Sequence, residues 1–368
     1  MVFGNQTLWD IALNERRNIL KNVSEGHSDS TNIASESHLL VCGSKDAGKT
    51  SLIQRFLERD ETPKPTVGLD FCYGRKSKQN NMSQVKDVAQ IWELGGGSSM
   101  SKLLDVVITP SNIRKLSVVL VLDLSKPDQL WETQETLLNQ IKQRIKQVIT
   151  EASKTDTNIE NDLKDRAWRR VGKNHTDKNT ITPLLVPLVI IGAKSDLYQD
   201  LSSDKKEMLS KTIRFLALLN GGMIQFFSTK AEGLTSRAKN VLNHLAFASN
   251  LSKTSCIEHT KPIIVPYGMD TLQQIGAPPI SADRLVKARR GGLPYDLWSD
   301  TYLSVFPSQK EVKDEKKNPA TDKQFADEIV DTIRVQKDEE LERYRKVSAR
   351  KAKEAQLNAS VGTKQKKK

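Results

Sequence analysis

Gly43-Ser44-Lys45-Asp46-Ala47-Gly48-Lys49-Thr50 reads G-x-x-x-x-G-K-[ST], the spacing of a phosphate-binding loop. Its glycines let the backbone wrap an anion. The loop's N–H groups then point inward, at the positive end of the helix that follows. In that arrangement Gly43, Ser44, Asp46, Ala47, Gly48 and Ser51 frame a nucleotide's phosphates. Lys49 reaches the outer phosphates and Thr50 holds a magnesium ion. A Gly-rich turn that merely opens an ordinary helix is the alternative, and the flanks decide between them. Leu39-Leu40-Val41-Cys42 reads as a buried strand and residues 51–57 as a helix, which is the context the motif needs.

The elements that must hold this loop follow in order. Pro63 and Pro65 end the helix and force an extended path. Residues 67–73 and 85–94 read as strands, joined by a turn at Asn80-Asn81-Met82-Ser83 into a hairpin. Residues 116–123 and 187–192 are nearly continuous apolar runs, as central parallel strands are. Residues 223–227 form the last strand. Helical patterns lie at 100–109, 128–150, 202–219 and 232–247. Residues 151–182 are polar and read as a surface insertion. Strands alternating with helices predict an α/β fold with a doubly wound sheet.

Outside this core, Thr7 caps a helix over 7–23, and 24–37 is a Ser-rich linker, so the core domain is expected over 38–250. Residues 251–307 hold Trp298, Tyr302 and Phe306 and read as an ordered extension packed on the domain or on a partner. Residues 308–346 are a charged linker and a helix, opened by the capping box Thr321-Asp322-Lys323-Gln324. Phe325, Ile329, Ile333, Leu341 and Tyr344 give that helix a narrow apolar stripe, ending near Arg345. Such a stripe is either a solvated face or a surface that fills a partner's groove. Residues 347–368 read as a disordered basic tail.

Composition narrows the function classes. Hydrophobic residues make up 37% and mean hydropathy is −0.51, too polar for a wholly globular chain. No apolar run approaches a membrane span, and the first residues lack a secretory pattern. Cys42, Cys72 and Cys256 are far apart and fit neither zinc nor a disulfide framework, which suggests a reducing, cytosolic compartment. Half of the net charge of +12 lies in 347–368, where seven basic residues stand against Glu354. A solvated tail accounts for this charge. Contact with an acidic polymer, a microtubule or nucleic acid, is the sharper reading.

The later motifs are similar, in order, to those of a Ras-like GTPase. Thr66, in Thr66-Val67-Gly68-Leu69-Asp70-Phe71, stands where such proteins sense the γ-phosphate through magnesium, and the segment resembles its Rab form. Thr50 and Thr66 are thus the expected metal ligands. The D-x-x-G motif becomes Glu93-Leu94-Gly95-Gly96. Gly97 replaces the glutamine that orients the attacking water. The guanine-reading N-K-x-D becomes Ala193-Lys194-Ser195-Asp196, in which Asp196 takes the base and Lys194 covers it. Ala193 lacks the amide that ties the loop, a loss of about 1 kcal/mol. Ser228 and Lys230 resemble the last base-contacting motif. A guanine nucleotide with magnesium is the implied cofactor, held and not turned over.

Several stretches resemble the light intermediate chains of cytoplasmic dynein, most closely the dynein 2 branch. They include Thr7-Leu8-Trp9-Asp10, Trp92-Glu93-Leu94-Gly95-Gly96-Gly97, Leu122-Asp123-Leu124-Ser125, Gln274-Ile275-Gly276-Ala277 and Arg334-Val335-Gln336-Lys337-Asp338. The resemblance implies a non-catalytic subunit that binds the dynein 2 heavy chain and other subunits and supports intraflagellar transport and cilium assembly. It implies a place in the cytoplasm and cytoskeleton, and in the cilium at axoneme and basal body. Microtubule association would come through the complex, with no nucleic acid and no membrane insertion. A Rab-like small GTPase switch in membrane or ciliary transport is the alternative.

Overall fold

The computed structural model describes residues 35–77, 86–279, 294–308 and 327–365, without the side chains of 294 and 352–365. The helix expected over 7–23, the capping box at 321–324 and Phe325 lie outside these residues.

Strand β1 (Glu36–Gly43) leads through the loop into helix α1 (Lys49–Phe56). Strands β2 (Leu69–Ser77) and β3 (Lys86–Leu94) pair antiparallel, the expected hairpin, with β2 starting two residues later than its apolar pattern. The single helix expected over 100–109 is instead a 3-10 segment, Gly97–Leu103, followed by the short α2 (Leu104–Val107). Strand β4 (Leu116–Asp123) feeds the long α3 (Pro127–Ala152), which has proline in its first turn, where no N–H is needed.

Residues 151–182 are more than a surface insertion. They contain α4 (Ile159–Val171), whose Ile159, Leu163, Ala167 and Val171 recur every four residues and are all buried. Then come β5 (Leu188–Ala193), α5 (Ser195–Tyr198), α6 (Ser203–Leu219), β6 (Met223–Phe226) and α7 (Glu232–Phe247). Strand β6 is not the last. The two-residue β7 (Ile264–Val265) pairs antiparallel with it, followed by α8 (Leu272–Ile275) and α9 (Pro294–Val305).

The sheet order is β2-β3-β1-β4-β5-β6-β7, parallel except at its two edge strands. Side chains of a strand alternate between faces. Leu40, Val118, Leu120, Ile190 and Phe226 pack on one side with α3, α4 and α6. Leu39, Val41, Val119, Val189 and Ile191 pack on the other with α1 and α7. This is the doubly wound arrangement.

The aromatic extension is seated on the first of these layers. Trp298 stacks on Phe215 of α6 with ring centroids 4.8 Å apart, and Tyr302 Oη donates to Pro127 O at 2.6 Å. Upstream of it, Arg214 Nε and Nη2 donate to Asp270 Oδ2 and Oδ1 at 2.7 and 2.6 Å, and both side chains are nearly inaccessible. A planar guanidinium fork matches a carboxylate in this way.

The second unit of the chain contains α10 (Glu328–Gln365). The helix does not stop near Arg345, and most of the segment expected to be a disordered tail is helical. Ala, Lys, Arg, Glu and Gln crowd 349–356, and these are strong helix formers. Ile329, Ile333, Leu341 and Tyr344 are exposed on it.

Asp270→Ala leaves the Arg214 guanidinium buried without its counter-ion. It is expected to lower unfolding free energy by about 3–5 kcal/mol in urea denaturation. Arg214→Met combined with Asp270→Leu should recover most of that loss.

Candidate phosphate-loop site

The loop leaves β1 where its neighbours crowd it. Gly43 has φ 152°, and a Cβ there would overlap the Val121 carbonyl of β4. No other residue type fits so close an approach. From Lys45 to Ser51 the chain walls a cavity of about 240 Å³, closed opposite by Pro63, Lys64, Pro65 and Thr66 and at one side by Glu93, Gly95 and Gly96. Asp46, Ala47, Gly48, Lys49, Thr50, Ser51 and Thr66 are thus brought together around one space. Gly43 and Ser44 join them through their carbonyls, which accept from Lys49 Nζ at 3.3 and 2.7 Å.

Lys49 is 4% exposed and makes no ion pair among the described residues. Burial pushes its pKa down, and the Glu93 carboxylate pulls the other way. A buried cation without a close counter-ion fits an anion in the cavity.

Glu93 pairs in register with Val41, which brings it from the end of β3 to the start of α1. Thr50 Oγ1 donates to Glu93 Oε1 at 2.8 Å, and the Thr66 side chain stands near the same carboxylate and lowers its pKa. The two hydroxyls expected at a metal therefore converge, with a third oxygen group behind them. Hard oxygen donors suit magnesium, so Thr50 and Thr66 would hold it and Glu93 would orient them. Burial raises the Glu93 pKa, against the Thr50 bond and the charge of Lys49. Gly95 donates its N–H to Gly68 O at 2.6 Å, which docks the Thr66 segment on this corner. Gly97 is buried over the loop, and a Cβ there would lie 3.5 Å from the Lys45 amide nitrogen. It offers no group to position a water.

The residues expected to read the base assemble at the ends of β5 and β6. Asp196 Oδ1 accepts from Ser228 Oγ and its Oδ2 pairs with Lys230 Nζ, both at 2.7 Å. Lys230 and then Ser228 hold the Asp196 carboxyl below its usual range. Both of its oxygens are engaged, so a base must compete with Lys230. Lys194 Nζ pairs with Asp123 Oδ2 at 2.5 Å. Sequence reasoning missed Asp123. Its signal is a lone acid closing the apolar run of β4, held there by Ser125 N and Oγ. Ala193 faces Gly48, where a Cβ would stand 3.9 Å from its own, and it shares an apolar cluster with Ala47. Apolar contact stands in for the missing amide.

Nothing else among the described residues offers metal chemistry. No metal-binding cluster of His, Cys, Asp and Glu is present, and all three cysteines are free. Burial pushes the Cys42 thiol up to about 12, which leaves it unreactive. No helix among the described residues is long and apolar enough to cross a membrane.

A phosphate loop after β1, a carboxylate closing β3 and a base-reading pair after β5 define a Ras-like domain. The family model described as Ras of Complex, Roc, domain of DAPkinase matches residues 38–156. Over 360 residues the chain is 41% identical to cytoplasmic dynein 2 light intermediate chain 1 of Homo sapiens and 40% identical to that of Bos taurus, covering 96% of this chain and 99% of each relative. The chain belongs to the family of cytoplasmic dynein 2 light intermediate chains. The crystal structure of the dynein light intermediate chain's conserved domain has the same fold, with a TM-score of 0.51 at 15% identity over 73% of this chain and 90% of that one.

Glu93 gives the site a pH signature. Its folded pKa is raised, so its favourable contribution is full when protonated and is lost as pH rises through that pKa. In chelator, without nucleotide, Glu93→Gln should melt about 1–4 °C above the wild type at pH 7. The gap should close toward pH 4. A variant that melts lower at pH 7 would show that the charge is needed to hold Lys49.

Proposed function

We propose that this chain is a non-catalytic light intermediate chain of the dynein 2 motor. It binds the heavy chain and assembles with other dynein 2 subunits, supporting retrograde intraflagellar transport and cilium assembly. Identity at about 40% over 96% of the chain carries this reading, because it extends well beyond the Ras-like part. Its place is then the cytoplasm and, with the motor on microtubules, the axoneme and basal body of the cilium.

The chemistry of the site supports a scaffold. Gly97 has no side chain to orient water, Ala193 has no amide, and Asp196 is already held by Ser228 and Lys230. A guanine nucleotide with magnesium in this loop is a structural ligand, which stabilises the domain by mass action. Single-turnover GTP hydrolysis should run at or below the order of 10⁻⁴ s⁻¹, with no large stimulation by a partner's arginine. A rate of about 1 s⁻¹ would overturn the scaffold reading. So would heavy-chain binding that differs between GTP and GDP, since a switch requires differential affinity.

The two units divide the labour. Residues 1–307 hold the sheet, its helices and the seated aromatic extension, and they offer a large preformed surface. Ile329, Ile333 and Leu341, with Phe325 before them in the chain, offer a thin groove-filling stripe. Truncation after Pro307 should leave thermal melting of the domain unchanged and heavy-chain pull-down intact. Normal melting with complete loss of heavy chain would make α10 the anchor.

A further inference from the structure

A second concavity opens at the sheet end remote from the phosphate loop. Strands β4 and β5 begin there, β4 one residue before Ser117 and β5 just after Pro187, whereas Gly43, Asp123 and Ala193 close their strands at the loop. The pocket is about 380 Å³ and its walls include Arg166, Arg169, Arg170, His244 and Tyr267. No carboxylate among the described residues lines it.

The three guanidinium groups bond backbone carbonyls. Arg166 Nη1 donates to Arg114 O at 3.0 Å, Arg169 Nε to Asp165 O at 3.4 Å and Arg170 Nη2 to Leu184 O at 3.0 Å. None makes an ion pair among the described residues. Asp156 and Asp162, before and on α4, pair instead with Arg114. Behind the wall, Nε of Arg170 and the hydroxyl of Tyr267 are buried out of reach of the pocket and bond nothing. Tyr267 is held in place by its neighbour. Gly268 has φ 65°, and a Cβ there would overlap the Val171 carbonyl, so this turn lies flat on the end of α4. Burial depresses the Arg170 pKa, Tyr267 beside it pulls the other way, and the nearby charge of Arg166 depresses it further.

Cations are ordinarily favourable at a helix C-terminus, which accounts for Arg169 and Arg170 in the last turn of α4. It does not account for Arg166, a turn earlier on α4, which lines the same pocket with no acidic partner among the described residues. An anion with several acceptor oxygens would neutralise the arginines. Pro187, Leu245 and Ala248 complete the wall. That mixed lining suits a side chain that reaches the floor, which the flat surface of a bilayer does not do.

We propose that this pocket receives an anionic side chain from an acidic segment of a protein partner, at a site separate from the phosphate loop. The test uses the full chain and a fluorescein-labelled octaglutamate peptide, read by anisotropy at 0.1 M salt. Arg166→Gln/Arg169→Glu should raise the dissociation constant about tenfold or more. Arg350→Gln/Lys351→Glu in α10 makes the same change of charge and should shift it less than about twofold. Arg169→Glu alone, on an exposed side chain, covers the case in which the double variant fails to fold, and it should weaken the peptide about threefold or more. Absence of peptide binding, or equal loss in the pocket and α10 variants, would overturn the proposal. Inorganic phosphate binding without peptide binding would also overturn it, in favour of a free anion. Arginine-dependent binding of phosphatidylserine vesicles without peptide binding would do so in favour of a membrane surface.

Discussion

Two-sided burial of the central strands is the constraint on which this structure depends. All eight residues of β4 and all six of β5 are buried, because helices cover both faces of the sheet. A parallel strand in that setting has no wet face on which to carry polar chemistry. Charged groups are therefore driven to the strand ends. At one end stand Gly43, Asp123 and Ala193, with the phosphate loop and the base-reading pair around them. At the other stand Ser117 and Pro187, with the arginines of α4.

The phosphate end keeps its architecture while its reactive groups are replaced. Glu93 receives the hydroxyl of Thr50 and has Thr66 beside it, so the loop, the 63–66 segment and the corner after β3 meet at one buried carboxylate. Gly97 rests on the loop where a longer residue would have to be accommodated. Ala193 and Ala47 close the same corner by apolar contact. These substitutions pack the corner and leave no side chain at position 97 to orient water, which is what the proposed scaffold reading requires.

The two units present different kinds of surface. In the first, Trp298, Tyr302 and Phe306 are spent inward, against Phe215, Trp131 and Pro127. Large aromatic area is what fixes the extension to the domain. In the second, α10 keeps its few apolar residues outward along a mostly charged helix. Its i,i+4 pairs, Glu342 with Lys346 and Glu339 with Arg343, support the helix without a core.

The sequence by itself determined the strand, glycine loop and helix around Gly43–Thr50, the order of β1 to β6, the hairpin of β2 and β3, and the bounds of α7. Each rests on a local signal: a fixed glycine spacing, an apolar run of strand length, or a helical period. It also held the four-residue repeat of α4, but charged neighbours masked it as surface. Only the tertiary structure decided the rest. Strand β7 is two residues long and exists through its pairing with β6. The bonds of Lys194 to Asp123 and of Arg214 to Asp270 span 71 and 56 residues. So does the meeting of Arg170 with Tyr267 depend on Gly268 lying against Val171. Such pairings depend on where distant segments come to rest, and no period or spacing along one segment encodes that.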